Sequence, residues 1–207
     1  MKKFLINFVM VFLAVLVILN LRFISAELKF SVKGPADVDS TQLIVNTPAP
    51  EQNNQLPLSG NKVTGYWLEI PSIGVRTPIV LEKSTDTDTI LKRLENGVVH
   101  YSTSPLPGEE GTSLILGHSS AYPWYKGNYG SVFALLGKLN PGDIIKIYKD
   151  DELLTYKMTK SLVFNPLSKD SRINQLEETD GSSIVLISCW PVGTNYKRIA
   201  VKADLVK

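Results

Sequence analysis

From residue 66 to its C-terminus the chain is a succession of short β-type runs, rich in Val, Ile, Leu, Tyr and Thr and interrupted by turn residues. Such spacing leaves little room for long helices. The runs cover 66–75, 77–81, 97–101, 112–117, 143–148, 153–163, 183–189 and 197–206, and the charged turn Lys149-Asp150-Asp151-Glu152 joins two of them as a hairpin. In the last run Ile199, Val201, Ala203 and Leu205 recur at every second position, so they share one face of a strand and leave Arg198, Lys202 and Asp204 on the other. Helical patterns are few and short. One spans 86–95, with Ile90, Leu91 and Leu94 on one face and Asn96-Gly97 as its stop; a second spans 131–139, ended by Asn140-Pro141-Gly142; a third covers 171–178. Many close strands with a few short helices predict a mainly β domain closed or nearly closed into a barrel, because closure also removes exposed sheet edges.

Upstream of this domain the composition changes twice. Lys2-Lys3 precede a run over 4–21 whose only polar members are Asn7 and Asn20. At roughly 18 residues it approaches the ~20 needed to cross a bilayer and exceeds the apolar region of an ordinary signal peptide. The segment 1–26 therefore reads as one N-terminal transmembrane signal-anchor, its lysines cytoplasmic and the rest of the chain extracytoplasmic. Cleavage near Ala26 is the competing reading, and Ile24-Ser25-Ala26 matches the small-x-small pattern poorly. Residues 27–62 are polar and proline-bearing, as in Thr47-Pro48-Ala49-Pro50, and read as a linker that holds the 63–207 domain off the membrane.

The candidate chemistry is short to enumerate. Among 207 residues there is one cysteine, Cys189, and two histidines, His100 and His118. A lone thiol in an exported chain forms no intramolecular disulfide and calls for a chemical explanation. Cys189 ends the apolar run 183–188, and His118 ends another run at Gly117-His118, so both sit at strand rims where two reactive side chains could meet over one groove. The bland alternative for each is burial: a lone cysteine in an apolar strand is ordinarily a small hydrophobe, and Arg198 by itself is a solvated strand-end charge. His100 follows Val98-Val99, which suggests a structural or substrate-lining role. The net charge of +2, without a Lys/Arg stripe carrying interleaved aromatics or zinc-type Cys/His spacing, gives no reason to expect nucleic acid, metal or an organic cofactor.

Taken in order, Leu68-Glu69-Ile70-Pro71-Ser72-Ile73-Gly74-Val75, His100-Tyr101 with Pro107-Gly108-Glu109, Gly117-His118, the strand ending at Cys189, and then Arg198 resemble the sortases, membrane-anchored cysteine transpeptidases. The resemblance covers the domain from Tyr66 onward. It implies an eight-stranded sortase barrel with Cys189 as nucleophile, His118 as acid/base and Arg198 as oxyanion stabiliser. It also implies partners: secreted proteins bearing a C-terminal, LPxTG-like sorting signal, and an amine acceptor on peptidoglycan or a pilin subunit. Where the family reads Thr-Leu-x-Thr-Cys, this chain reads Val185-Leu186-Ile187-Ser188-Cys189, keeping one hydroxyl beside the thiol. Ser119 and Ser120, Ser188, Trp190 and His100 are candidates for substrate contacts. The aromatic stretches 121–125 and Trp190-Pro191, which directly follow the two reactive residues, either line a groove for an apolar peptide or close the barrel rim.

Two other classes remain in view. A different exported cysteine peptidase or peptidoglycan-acting enzyme shares the nucleophile, although the Ser-His-Gly-Cys arrangement of the L,D-transpeptidases is absent here. A non-catalytic binding domain on the sortase fold predicts an unreactive thiol.

Overall fold

The structure is a computed structural model that describes residues 3, 6–12, 65–122, 125–168 and 170–206. Residues 6–12 are helical, and among the described residues no helix is long and apolar enough to cross a membrane. The expected membrane segment lies mostly outside the described residues, and the expected linker lies wholly outside them.

Among the described residues eight strands form the domain: β1 (Tyr66–Ile70), β2 (Val75–Leu81), β3 (Val98–His100), β4 (Gly111–Leu116), β5 (Ile144–Lys149), β6 (Glu152–Phe164), β7 (Ser182–Trp190) and β8 (Lys197–Leu205). They close into a barrel in the order β1-β2-β3-β4-β7-β8-β6-β5. The pairs β2–β3 and β4–β7 are parallel, and the others are antiparallel. The predicted run 66–75 divides at Pro71, where a 3-10 turn over Pro71–Ile73 ends on Gly74 at φ 65° and sends the chain back as β2. Asp150-Asp151 is the two-residue tip of the expected β5–β6 hairpin, with Lys149 paired to Glu152 and Asp150 at φ 52°. An aspartate tolerates that left-handed conformation better than most residues.

Strand alternation sorts the side chains. Leu68, Ile70, Ile115, Ile147, Tyr156, Ile184, Leu186 and Val201 point inward and share one core. The outer faces are not left bare. Helix α1 (Thr87–Arg93), capped by the Asp86 carboxylate accepting from Thr89 N at 2.9 Å, sets Ile90 against Val99 on β3, with Leu94 of the following turn in the same cluster. Helix α2 (Asn174–Glu177) sets Leu176 on Val185 and Ala200, on the outer face of β7 and β8. Lys202, placed by alternation on the face of β8 opposite Val201 and Ala203, is only 3% exposed.

The helix expected over 131–139 is instead a series of turns and a 3-10 segment, Leu136–Lys138. Ala134 N bonds Ser131 O at 3.0 Å and Lys138 N bonds Leu135 O at 2.9 Å, both of the tighter i to i−3 type. Phe133, Ala134, Leu135 and Leu136 are all buried. Four consecutive buried side chains span more than one side of an α-helix, so packing overrides the local pattern.

Tyr156 ties the inner barrel to the β3–β4 connection. Its ring is fully buried, its hydroxyl accepts from Gly108 N at 2.8 Å, and it lies 3.3 Å from Ser182 Oγ. Tyr156→Phe keeps the ring and orphans the Gly108 N–H, which should cost about 1–3 kcal/mol, read as a lower chemical-denaturation midpoint with an unchanged slope.

Candidate active site

The register of three strands decides which side chains meet. Cys189 on β7 is paired directly with Arg198 on β8. Directly opposed residues of an antiparallel pair project from the same face, with Cβ atoms about 4.5–5.5 Å apart. On the other side of β7, the parallel ladder aligns Leu116 of β4 with Ile187 and continues one step as Gly117 N donates to Ile187 O at 3.0 Å. His118 is therefore the β4-side neighbour of Cys189. All three side chains fall on the outer face, in phase with Leu114, Val185, Ile187 and Ala200 rather than with the inward Ile115, Leu186 and Ile199. Leu114 and Ile187 are only partly buried and supply an apolar floor leading to the thiol.

The Gly117-His118 step is shaped by packing. A Cβ on Gly117 would collide with the Phe133 ring, and Phe133 N donates to His118 O at 2.9 Å, so the ring and the backbone bond together hold the chain where it leaves β4. The imidazole stands edge-on to Tyr125, centroids 5.3 Å apart. Tyr125 in turn donates its hydroxyl to Leu94 O at 2.7 Å. Burial and the nearby Glu95 carboxylate push the Tyr125 phenol up to about 12, so it stays a neutral donor. Sequence reasoning named this aromatic stretch but not Tyr125 as the ring that backs His118. The signal was its place seven residues after the histidine, which carries no periodicity. Pro123 and Trp124 of the same stretch lie outside the described residues.

Burial holds the His118 imidazole below its ordinary value of 6.5. The neutral ring, a proton acceptor, is thus the form the fold favours near neutral pH. Cys189 is a free thiol of intermediate exposure. The Arg198 guanidinium donates through Nη1 to Asn195 O at 3.1 Å and to Lys197 O at 3.0 Å, which anchors it beside the β7–β8 turn.

The remaining candidates are placed differently. Ser188 is inward and buried, and its Oγ donates to Gly117 O at 2.8 Å, so the hydroxyl preceding the thiol ties β7 to the Gly-His step. Trp190 is also in the inward phase, its ring packed over Gly137 and against the core. His100 points inward, 4% exposed, with Nε2 bonded to Pro105 O at 2.9 Å and 3.2 Å from Ser104 Oγ. Ser119 is buried with no hydrogen-bond partner for Oγ, and Ser120 is exposed on the same connection. The structure thus brings Cys189, His118 and Arg198 to one outer rim and turns Ser188, Trp190 and His100 toward the interior. Among the described residues no group of three or more His, Cys, Asp or Glu side chains is arranged to hold a metal ion.

A closed eight-stranded barrel carries a thiol, an imidazole and a guanidinium on the outer rim of neighbouring strands, the groups that a barrel-type cysteine transpeptidase would use. Residues 68–206 match the family model described as the sortase domain, and the chain belongs to the sortase family. It is 29% identical to sortase D of Bacillus subtilis (strain 168) over 178 residues, covering 84% of this chain and 79% of that protein. Among solved structures it resembles a sortase D5 transpeptidase of Clostridium perfringens, with a TM-score of 0.54 and 27% identity over 70% of this chain and 79% of that one. A Clostridium perfringens sortase C structure with the C-terminal cell wall sorting motif matches with a TM-score of 0.54 and 26% identity, covering 68% of this chain and 69% of that one.

The depressed His118 value has a consequence for stability. A histidine whose folded pKa lies below its unfolded one supplies stability that is present above about 6.5 and is lost as pH falls through the folded value. The stability difference between the wild-type protein and His118→Gln should therefore shrink as pH is lowered from about 7.5 to 5, measured by denaturant unfolding at each pH. The His118 ring protons should titrate with a midpoint below 6.5.

Proposed function

We propose that this sortase cleaves a C-terminal, LPxTG-like sorting signal of secreted proteins at Cys189 and transfers the acyl fragment to an amine of the cell envelope or of a pilin subunit. The observation that carries the reading is the register that makes Cys189 the direct cross-strand neighbour of Arg198 and the lateral neighbour of His118. The similarity to the Clostridium perfringens sortase C structure with the C-terminal cell wall sorting motif supports the substrate class. In this reading the N-terminal run 4–21 is a signal-anchor and the barrel works on the outer side of the cell membrane, supported by its apolar composition behind Lys2-Lys3.

The chemistry follows from the groups present. The thiolate is the nucleophile, and the neutral His118 imidazole accepts the Cys189 proton as the sulfur attacks the scissile carbonyl carbon. Negative charge collects on the carbonyl oxygen, where the permanently charged Arg198 guanidinium donates to it. The imidazolium then gives its proton to the departing amine, the C–N bond breaks and a thioester remains. In the second half an incoming amine attacks the thioester, His118 takes its proton and passes it to the departing Cys189 sulfur as the C–S bond breaks and the new amide forms, which restores the thiol and the neutral imidazole. His118 is neutral at the start of each half and protonated in its middle, and burial, which holds it below its ordinary value, favours the neutral starting form.

Intact-mass measurement of the full-length chain with LPxTG-like peptides should show an acyl adduct on Cys189 that added amines discharge into a new peptide bond. Cys189→Ala should show none. Arg198→Ala should lower kcat by about 10²–10³, the range for removing one oxyanion donor, while the rate of Cys189 alkylation changes little. A thiol that forms no adduct and resists alkylation would sink the enzyme reading in favour of a binding domain.

A further inference from the structure

The acyl-transfer chemistry proposed above makes no use of Lys202, yet this lysine lies in the middle of β8 and is only 3% exposed. A lysine stem ordinarily carries its charge out to water, and burying the charge is unfavourable unless it gains fixed partners. Asp204 Oδ1 lies 3.9 Å away, beyond hydrogen-bond distance, and although the Asp204 side chain is 45% exposed this oxygen is itself buried without a hydrogen-bond partner, so the pair is a loose ion contact rather than a fixed bond. The Lys202 ammonium is instead directed at the main chain of the β6–β7 connection, donating to Glu178 O.

Glu178 is the C-cap of α2, the residue just past its last turn. The last carbonyls of a helix lack partners within it, and here side chains from the barrel meet them. Thr112 on β4 donates from Oγ1 to Glu177 O at 3.1 Å, and Lys160 on β6 reaches Gln175 O at 3.5 Å. Lys202 stands on β8. In the barrel order β4-β7-β8-β6 these donors straddle β7, so the connection crosses that strand as a strap fastened on both sides. Beneath it Leu176 sits on Val185 and Ala200. Val185, Ile187 and Cys189 lie in line along the outer face of β7, so the strap forms the end wall of the apolar floor that leads to the thiol.

From this arrangement we infer that Lys202, assisted by Thr112, is a positioning residue for substrate. It fastens the β6–β7 connection across β7 and so sets the shape of the groove that receives the peptide, without touching the reacting atoms. The inference rests on the proposed function for its kinetic consequence but not for its structural one.

The test uses Lys202→Met, which keeps the apolar stem and removes the donor, together with Thr112→Val and Thr112→Ser, all in the full-length chain. Backbone hydrogen exchange over 172–181 should quicken about tenfold or more in Lys202→Met, and by a smaller factor in Thr112→Val, with β4 and β7 unchanged. Thr112→Ser, which retains the hydroxyl, should exchange as the wild type does. With a sorting-signal peptide, Lys202→Met should raise KM about fivefold or more and leave kcat within about twofold, and iodoacetamide should alkylate Cys189 at the wild-type rate. Unchanged exchange over 172–181 in both Lys202→Met and Thr112→Val overturns the inference, as does a fall in kcat at constant KM. Exchange is read without peptide. A wild-type chain that never acylates therefore refutes the proposed function, while the exchange data still decide the strap.

Discussion

The hydrogen-bond register that locks β4, β7 and β8 side by side is the constraint on which the rest of this protein depends. Each residue's face is set by the two-residue period of a strand, and a slip of one position would turn every side chain of that strand to the other side. With Cys189 opposite Arg198 and Gly117 bonded to Ile187, thiol, guanidinium and imidazole share one outer rim. The same period sends Ser188 inward, where its hydroxyl ties β7 to the Gly117 carbonyl and so reinforces the register that placed its neighbour outside. A polar residue that belongs to the site motif thus contributes through the scaffold.

Placing chemistry on the outside of a barrel demands cover for the outer faces. The interior is filled by one large apolar cluster, and the outside is clothed in patches, by α1 over β3 and by α2 over β7 and β8. Between these patches the floor near Cys189 stays partly open, with Leu114 and Ile187 only half covered. His118 stands at the border. It is buried enough for its proton affinity to fall, backed by the Tyr125 ring, and one residue beyond the backbone bond that ends the β4–β7 ladder. The proposed peptide chemistry would act beside this apolar floor, at whose end the Cys189 thiol stands.

Much of this was legible along the chain. The runs of β-type residues located the strands to within a few positions, the Lys149–Glu152 turn gave the hairpin, and the rarity of cysteine and histidine narrowed the reactive groups to a handful. The helix expected over 131–139 was not realised, because burying Phe133 to Leu136 together overrode local propensity. Trp190 read as lining a groove or closing the barrel rim and His100 as structural or substrate-lining, and the inward phase of their strands places both side chains toward the core. Tyr125 was named only within an aromatic stretch, because its contact with His118 depends on how the loop after β4 folds back over Leu94. The burial of Lys202 was not legible, since alternation identifies a face without revealing what covers it.

What the sequence by itself determined is everything that local physics controls: short strands instead of helices, the turns between them, the side of each strand that is apolar, and the single thiol available for chemistry. The pairing order β4-β7-β8-β6 belongs to the tertiary structure alone, because strands far apart in the chain become neighbours only through burial of their shared inner faces. That order joins a histidine and a cysteine separated by 70 residues of intervening chain. It also decides that a lysine in the last strand meets the carbonyl of a helix C-cap rather than water. Alternation is written in each strand, but which strand lies beside which, and what crosses over them, is fixed only when the whole barrel closes.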